Sequence, residues 1–183
     1  MTTTLLSGRP QDVSARCAEE RACYDLLDGL HIPYARVDHD AAFTIEACAE
    51  AEAVLGAEIC KNLFLCNRQK TQFYLLLMPG KKPLKTKHLS AQLGCARLSF
   101  AAPEDMERLL GVTPGSATVL ALMNDRAGAV QLVIDKPLLA EEFLCCHPCR
   151  NTSSLKLATA DVRDRFLPAV RHMPVIVELP EEG

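Results

Sequence analysis

The chain has 183 residues, 49% hydrophobic and 23% charged, with a net charge of -3. That length fits one ordinary domain with a sizeable core and is too short for two enzymatic modules. No stretch approaches the roughly 18 uninterrupted apolar residues of a membrane span, and the slight negative charge excludes a global pull towards nucleic acid, so any RNA contact needs a local basic patch.

Residues 1–13 carry neither the charged nor the apolar region of a secretory signal and are expected to form a frayed tail of a cytoplasmic protein, with one domain over 14–180. Helical spacing then runs from Ser14 to Asp28, stopped by Gly29. Ile32–Val37 reads as a strand, and Ile45–Leu55 as a helix with Thr44 as its N-cap and Gly56 as its stop. Two apolar runs, Ile59–Cys66 and Phe73–Met78, flank a polar turn and predict an antiparallel hairpin. Leu89–Leu93 and Pro103–Leu110 read as short helices closed by Gly94 and Gly111, with a strand at Ala96–Phe100 between them. A second hairpin is expected from Thr118–Met123 and Ala129–Ile134 around the Asn-, Asp- and Gly-containing turn 124–128. Leu138–Leu144 is read as helical, Ser153–Leu157 as extended, Asp161–Leu167 as helical and Val175–Leu179 as a last strand. Hairpins mixed irregularly with helices do not make a doubly wound sheet. They predict an α+β fold, a mixed and largely antiparallel sheet or half-barrel surrounded by helices.

Nine cysteines make an odd number, set at apolar positions, and read as reduced core thiols. Cys146 and Cys149 form a C-x-x-C pair, but late in the chain and before a polar strand, away from the helix start that a redox pair needs. Cys145, Cys146, His147 and Cys149 are packed too closely to wrap a tetrahedral zinc ion, so no metal is expected. The cluster Cys145–Thr152 is otherwise a polar site around His147, Asn151 and Thr152, or a structured turn. No phosphate-binding loop, H-E-x-x-H or G-x-S-x-G pattern occurs, and no cofactor is expected.

Lys61 stands in an otherwise apolar strand beside Asn62. Burying its charge unpaired is costly, so it either snorkels to an edge, joins an ion pair or meets an anion in a cavity. The segment Gly111–Ser116 is either a helix cap followed by a turn or a loop whose glycines let backbone approach a ligand. Lys81, Lys82, Lys85, Lys87 and His88 form a basic run, a solvated loop or a contact for phosphates.

These segments together resemble one family, the aminoacyl-tRNA deacylases related to the editing insertion of bacterial prolyl-tRNA synthetase (YbaK-like, ProX-type). The resemblance rests on Leu30–Tyr34, His39 with Phe43 and Thr44, Lys61–Leu65, Arg97–Phe100, Gly111–Ser116, Asn124 and Asp125, Val133–Asp135, and His147 and Pro148 with Asn151 and Thr152. It implies hydrolysis of mischarged tRNA(Pro), most like the free-standing enzymes that remove alanine, with prolyl-tRNA synthetase as a further partner and neither membrane nor DNA involved. It implies catalytic roles for Lys61, Gly115 and His147, and substrate contacts at Phe43, Thr44, Asn62, Ser116, Ala117, Asn151 and Thr152. The basic residues Lys81, Lys82, Lys85 and Lys87 would touch the tRNA backbone. One departure stands out: the family's G-x-x-x-P loop aligns with Gly115–Val119, so valine replaces the last proline. The rivals are removal of cysteine or another small residue from tRNA(Pro), a non-catalytic tRNA- or synthetase-binding module, and a C-x-x-C redox protein.

Overall fold

A computed structural model describes residues 4–41 and 45–181, with side chains 45–47 left aside. Two sheets face each other. One has the order β1 (Leu6–Ser7), β2 (Tyr34–Asp38), β8 (Ser153–Ala158), β7 (Phe143–Cys146) and is antiparallel throughout. The other has the order β5 (Leu98–Phe100), β3 (Lys61–Asn67), β4 (Phe73–Met78), β6 (Val130–Asp135), β9 (Val175–Val177), antiparallel from β5 to β4 and parallel from β4 to β9. A bridge between Ile59 and Cys145, with Cys60 N–H donating to Cys145 O at 3.0 Å, ties the edge of the first sheet to the start of β3.

Alternation along the strands divides the core. Phe64, Cys66, Phe73, Leu75 and Leu77 point between the sheets, where they meet Leu155 and Leu157 of β8 and Tyr24 and Leu27 of α1 (Ala18–Gly29). Leu65, Leu76, Met78 and Val133 point to the other side, beneath Leu89 of α3 (Thr86–Leu93). α2 (Ile45–Leu55) lays Ala51 and Leu55 on Val37, Ile59 and Cys145. α4 (Pro103–Leu110) begins with proline at its first turn and ends at Gly111 with φ +65°, as its sequence predicts.

Four expectations change. The segment 1–13, expected as a frayed tail, contributes β1, and Gly8 N–H donates to Tyr34 O at 2.9 Å. The first helix begins at Ala18 rather than Ser14, because Arg16 turns inward to Glu20 at 3.0 Å and Asp38 at 2.7 Å. The second hairpin does not form. Val119–Asn124 is a 3-10 helix with Val119–Leu122 buried, and β6 lies parallel to β4. The Asp125 carboxylate accepts the Ala129 and Val130 amides at 2.9 and 2.8 Å, launching β6 instead of closing a hairpin. The helix expected at Leu138–Leu144 is a 3-10 turn, Lys136–Ala140, followed by β7, since pairing with β8 outweighs local preference.

Candidate functional site

A cavity of about 330 Å³ opens where the start of β3, the 114–117 loop and the end of β7 converge. Its walls include Lys61, Asn62, Gly115, Ala117 and His147, residues distant in sequence that the fold brings together.

Lys61 is the first residue of β3, paired across the ladder with Met78 and half-buried. Its Nζ donates to the Lys82 carbonyl at 2.7 Å. An ammonium has three donors, so others are left for a ligand oxygen. The close fit of the 79–82 loop depends on Gly80, also in the cavity wall: a Cβ there would lie 2.5 Å from Ile59 O and 2.9 Å from Glu58 Oε1. Beside Lys61, Asn62 Nδ2 donates to Cys60 O at 3.1 Å, while Oδ1 has no hydrogen-bond partner among the described residues. A buried orphan acceptor is costly, and a ligand N–H or O–H would satisfy it.

Gly115 has φ +86°, a conformation that favours glycine, and it is exposed at the rim. Ser116 N–H donates to Thr113 O at 2.9 Å, closing the turn. Where the family's loop carries proline, Val119 is fully buried, and the neighbouring Thr118 accepts the Leu120 amide at 3.3 Å as an N-cap. The loop is thus fixed by a cap and by burial.

His147 Nδ1 lies 2.8 Å from Ser153 O, which fixes the proton on Nδ1 and leaves Nε2 as an acceptor. Burial pushes its pKa below the ordinary value, only partly opposed by the Ser153 carbonyl, so the ring is neutral near pH 7. His39 meets it edge-on at 6.0 Å and holds Ser154 Oγ at 2.8 Å through Nε2. Thr152 supports this pair from behind, its carbonyl accepting the His39 amide at 3.0 Å.

Other expected contacts fall elsewhere. Ser116 is buried in the turn, and Asn151 and Thr152 do not line the cavity. Phe43 and Thr44 lie outside the described residues. Lys82 is no surface cation: its ammonium is buried, 2.7 Å from Asp135 and 3.2 Å from Glu181. Lys81, Lys85 and Lys87 remain exposed. Sequence reasoning missed Cys48, Glu52, Gly80, Phe100, Met106 and Cys146 as cavity walls. Three of them carried a signal: Gly80 directly precedes the basic run, Phe100 ends a motif and Cys146 belongs to the C-x-x-C pair.

The cysteines are free thiols among the described residues. Burial pushes Cys60 up to about 11 and Cys145 up to about 12, and raises Cys146 well above its ordinary value. None of these three is poised as a thiolate, and Cys146 is a member of the C-x-x-C pair, which counts against the redox reading.

One lysine, an open-ended amide and a neutral imidazole around a glycine loop make a pocket of the kind that can bind and polarise a small polar ligand. The family model of the aminoacyl-tRNA editing domain matches residues 39–165. The chain belongs to that family. It is 30% identical over 136 residues to the prolyl-tRNA editing protein ProX of Acetoanaerobium sticklandii, covering 74% of this chain and 83% of that one. It is 31% identical over 155 residues to the prolyl-tRNA synthetase associated domain-containing protein 1 of Danio rerio, covering 84% and 83%. A crystal structure described as a candidate trans-editing enzyme for prolyl tRNA synthetase superposes with a TM-score of 0.67 at 18% identity, covering 90% of this chain and 99% of that one, and shares its fold.

Proposed function

We propose that this protein hydrolyses the ester of mischarged tRNA(Pro), releasing alanine, as a free-standing editing enzyme of the cytoplasm. The observation that carries the reading is the convergence of Lys61, Gly115 and His147 on one cavity. In the reaction a water oxygen bonds to the ester carbonyl carbon, the carbon–oxygen bond to the terminal ribose breaks, and a proton passes to the departing ribose oxygen. Lys61 holds the terminal nucleotide or its phosphate. The Gly115 loop seats the ester and its water, and the ribose 2′-hydroxyl helps activate that water. The orphan Asn62 Oδ1 takes a donor of the substrate. No covalent intermediate is required, in keeping with the protonated thiols of the wall.

Editing of this kind solves a sieve problem. A synthetase pocket sized for proline admits the smaller alanine, and a second, smaller pocket then removes the error while rejecting proline by size. The substrate is therefore tRNA(Pro) carrying a small residue, and prolyl-tRNA synthetase is the partner that generates it. Exposed Lys81, Lys85 and Lys87 add phosphate contacts. The purified protein is assayed against tRNA(Pro) charged with alanine, cysteine or proline. Release of alanine ahead of both others is expected; preference for cysteine replaces the substrate, and release of none removes the enzymatic reading.

A further inference from the structure

β5 is an outer edge of the five-stranded sheet, and Phe100 at its end is 65% exposed. A phenylalanine ring left in water forfeits the gain of burial, so its position invites a ligand. Phe100 lines the Lys61 cavity on one side and a second, open hollow of about 790 Å³ on the other. That hollow is walled by Arg68 just after β3, Arg97 before β5, Lys70, and Thr86 at the start of α3. No aspartate or glutamate is among its walls. Lys70 is paired with Asp105 at 3.0 Å, whereas Arg68 and Arg97 have no carboxylate partner among the described residues. A chain of net charge -3 thus concentrates unpaired guanidinium groups in one groove that ends at an exposed ring.

We propose that this groove is the track of the single-stranded 3′ end of the RNA substrate, with Phe100 stacking on a base at the cavity mouth and Arg68 and Arg97 holding phosphates. The inference rests on the editing reading above and adds the path of the polynucleotide. A basic groove with an aromatic platform is the usual way to hold a single strand without reading its sequence. Arginine suits the task through its planar fork, which pairs with phosphate oxygens. The register agrees. Phe100 is opposite Leu65, four residues along β3 from Lys61, which at the rise of a strand puts the platform about 13 Å from the lysine. A strand of RNA that leaves the cavity past Phe100 runs directly over the two arginines.

The test is binding of a labelled single-stranded oligoribonucleotide ending in CCA, measured over a salt series. Phe100→Ala should weaken binding about tenfold with an unchanged salt slope, and Phe100→Trp should restore it. The double variant Arg68→Glu, Arg97→Glu should weaken binding and flatten the slope of log K against log salt by about 0.7 for each phosphate that is no longer neutralised. These side chains are exposed, and unchanged melting temperatures verify that the variants fold. Wild-type deacylation of alanyl-tRNA(Pro) is measured on the same preparation. Deacylation by the wild type with equal affinity and slope in every variant overturns the groove and leaves the editing reading standing. Groove-dependent binding without deacylation overturns the editing reading and supports the groove.

Discussion

Lys61 and Lys82 lie within one hydrogen bond of each other, the ammonium of the first on the carbonyl of the second at 2.7 Å, yet they serve regions of opposite character. Lys82 is surrounded: Asp135, itself fixed by the Leu179 amide at 2.9 Å, and Glu181 neutralise it, and its side chain is 2% exposed. Lys61 faces a cavity and holds a neutral carbonyl. A buried cation whose counter-charges are already in place can only fix structure, whereas a cation left to a carbonyl at a cavity wall retains charge for a ligand. The two are coupled, because the Lys82 ion pair anchors the carbonyl that orients Lys61.

The comparison breaks most visibly at its structural half. Lys82→Ala leaves Asp135 buried without its charge partner and should cost about 3–5 kcal/mol of stability, read by denaturant unfolding; an unchanged midpoint would place Lys82 back on the surface. Lys61→Ala should lower the rate of deacylation about 10²–10³-fold, the loss typical of one positioned electrostatic donor, with the unfolding midpoint preserved. Turnover near wild type in that variant would remove Lys61 from the mechanism.

Gly80→Ala probes the joint between the two regions. Its new Cβ meets a backbone oxygen at 2.5 Å, so the loop must shift, costing about 1–3 kcal/mol as overpacking does. Because the shift carries the Lys82 carbonyl away from Lys61, deacylation should fall more than stability does. Equal and small effects on both would uncouple them.

His147 supplies a pH-dependent contrast with the lysines. Burial holds its pKa below 6.5, so the unfolded chain binds the proton more readily than the native one. The contribution of this group is then fully present above pH 6.5 and is lost as pH falls below it. Melting temperatures from pH 7.5 to 5 should show this decline, and His147→Gln should reduce it; a decline of the same size in the variant would assign it to other groups. The smallest expected effect is that of Lys85→Glu with Lys87→Glu: weaker tRNA binding and a shallower salt slope, with the alanine-over-proline ratio of hydrolysis unaltered. A changed ratio would mean that these residues reach the cavity.

Much of this molecule is legible in its sequence. The β3–β4 hairpin, α2 and α4 follow from alternation, helical spacing and glycine or proline punctuation, which are local signals. Lys61 stands out as a lone cation in an apolar strand, and the resemblance ties it to Gly115 and His147, which the cavity unites. The Thr118–Met123 run departs from the strand its residues suggest because a short buried apolar stretch has no period: a strand and a 3-10 turn bury it equally well. Leu138–Leu144 departs from its expected helix because only β8, later in the chain, decides that Phe143–Cys146 is a strand.

The sequence by itself determined the α+β class, most element positions and the residue types of the site. Tertiary structure alone decided which charges are paired. Nothing in the spacing of Lys81, Lys82, Lys85 and Lys87 distinguishes the one that Asp135 draws inward, since that carboxylate lies 53 positions along the chain from Lys82 and reaches it only through the parallel pairing of β4 with β6. Nor does the stretch Arg97–Phe100 reveal that its ring stands between two hollows. Electrostatic pairing and exposure depend on through-space distance, and the chain sets those distances only when the sheets close.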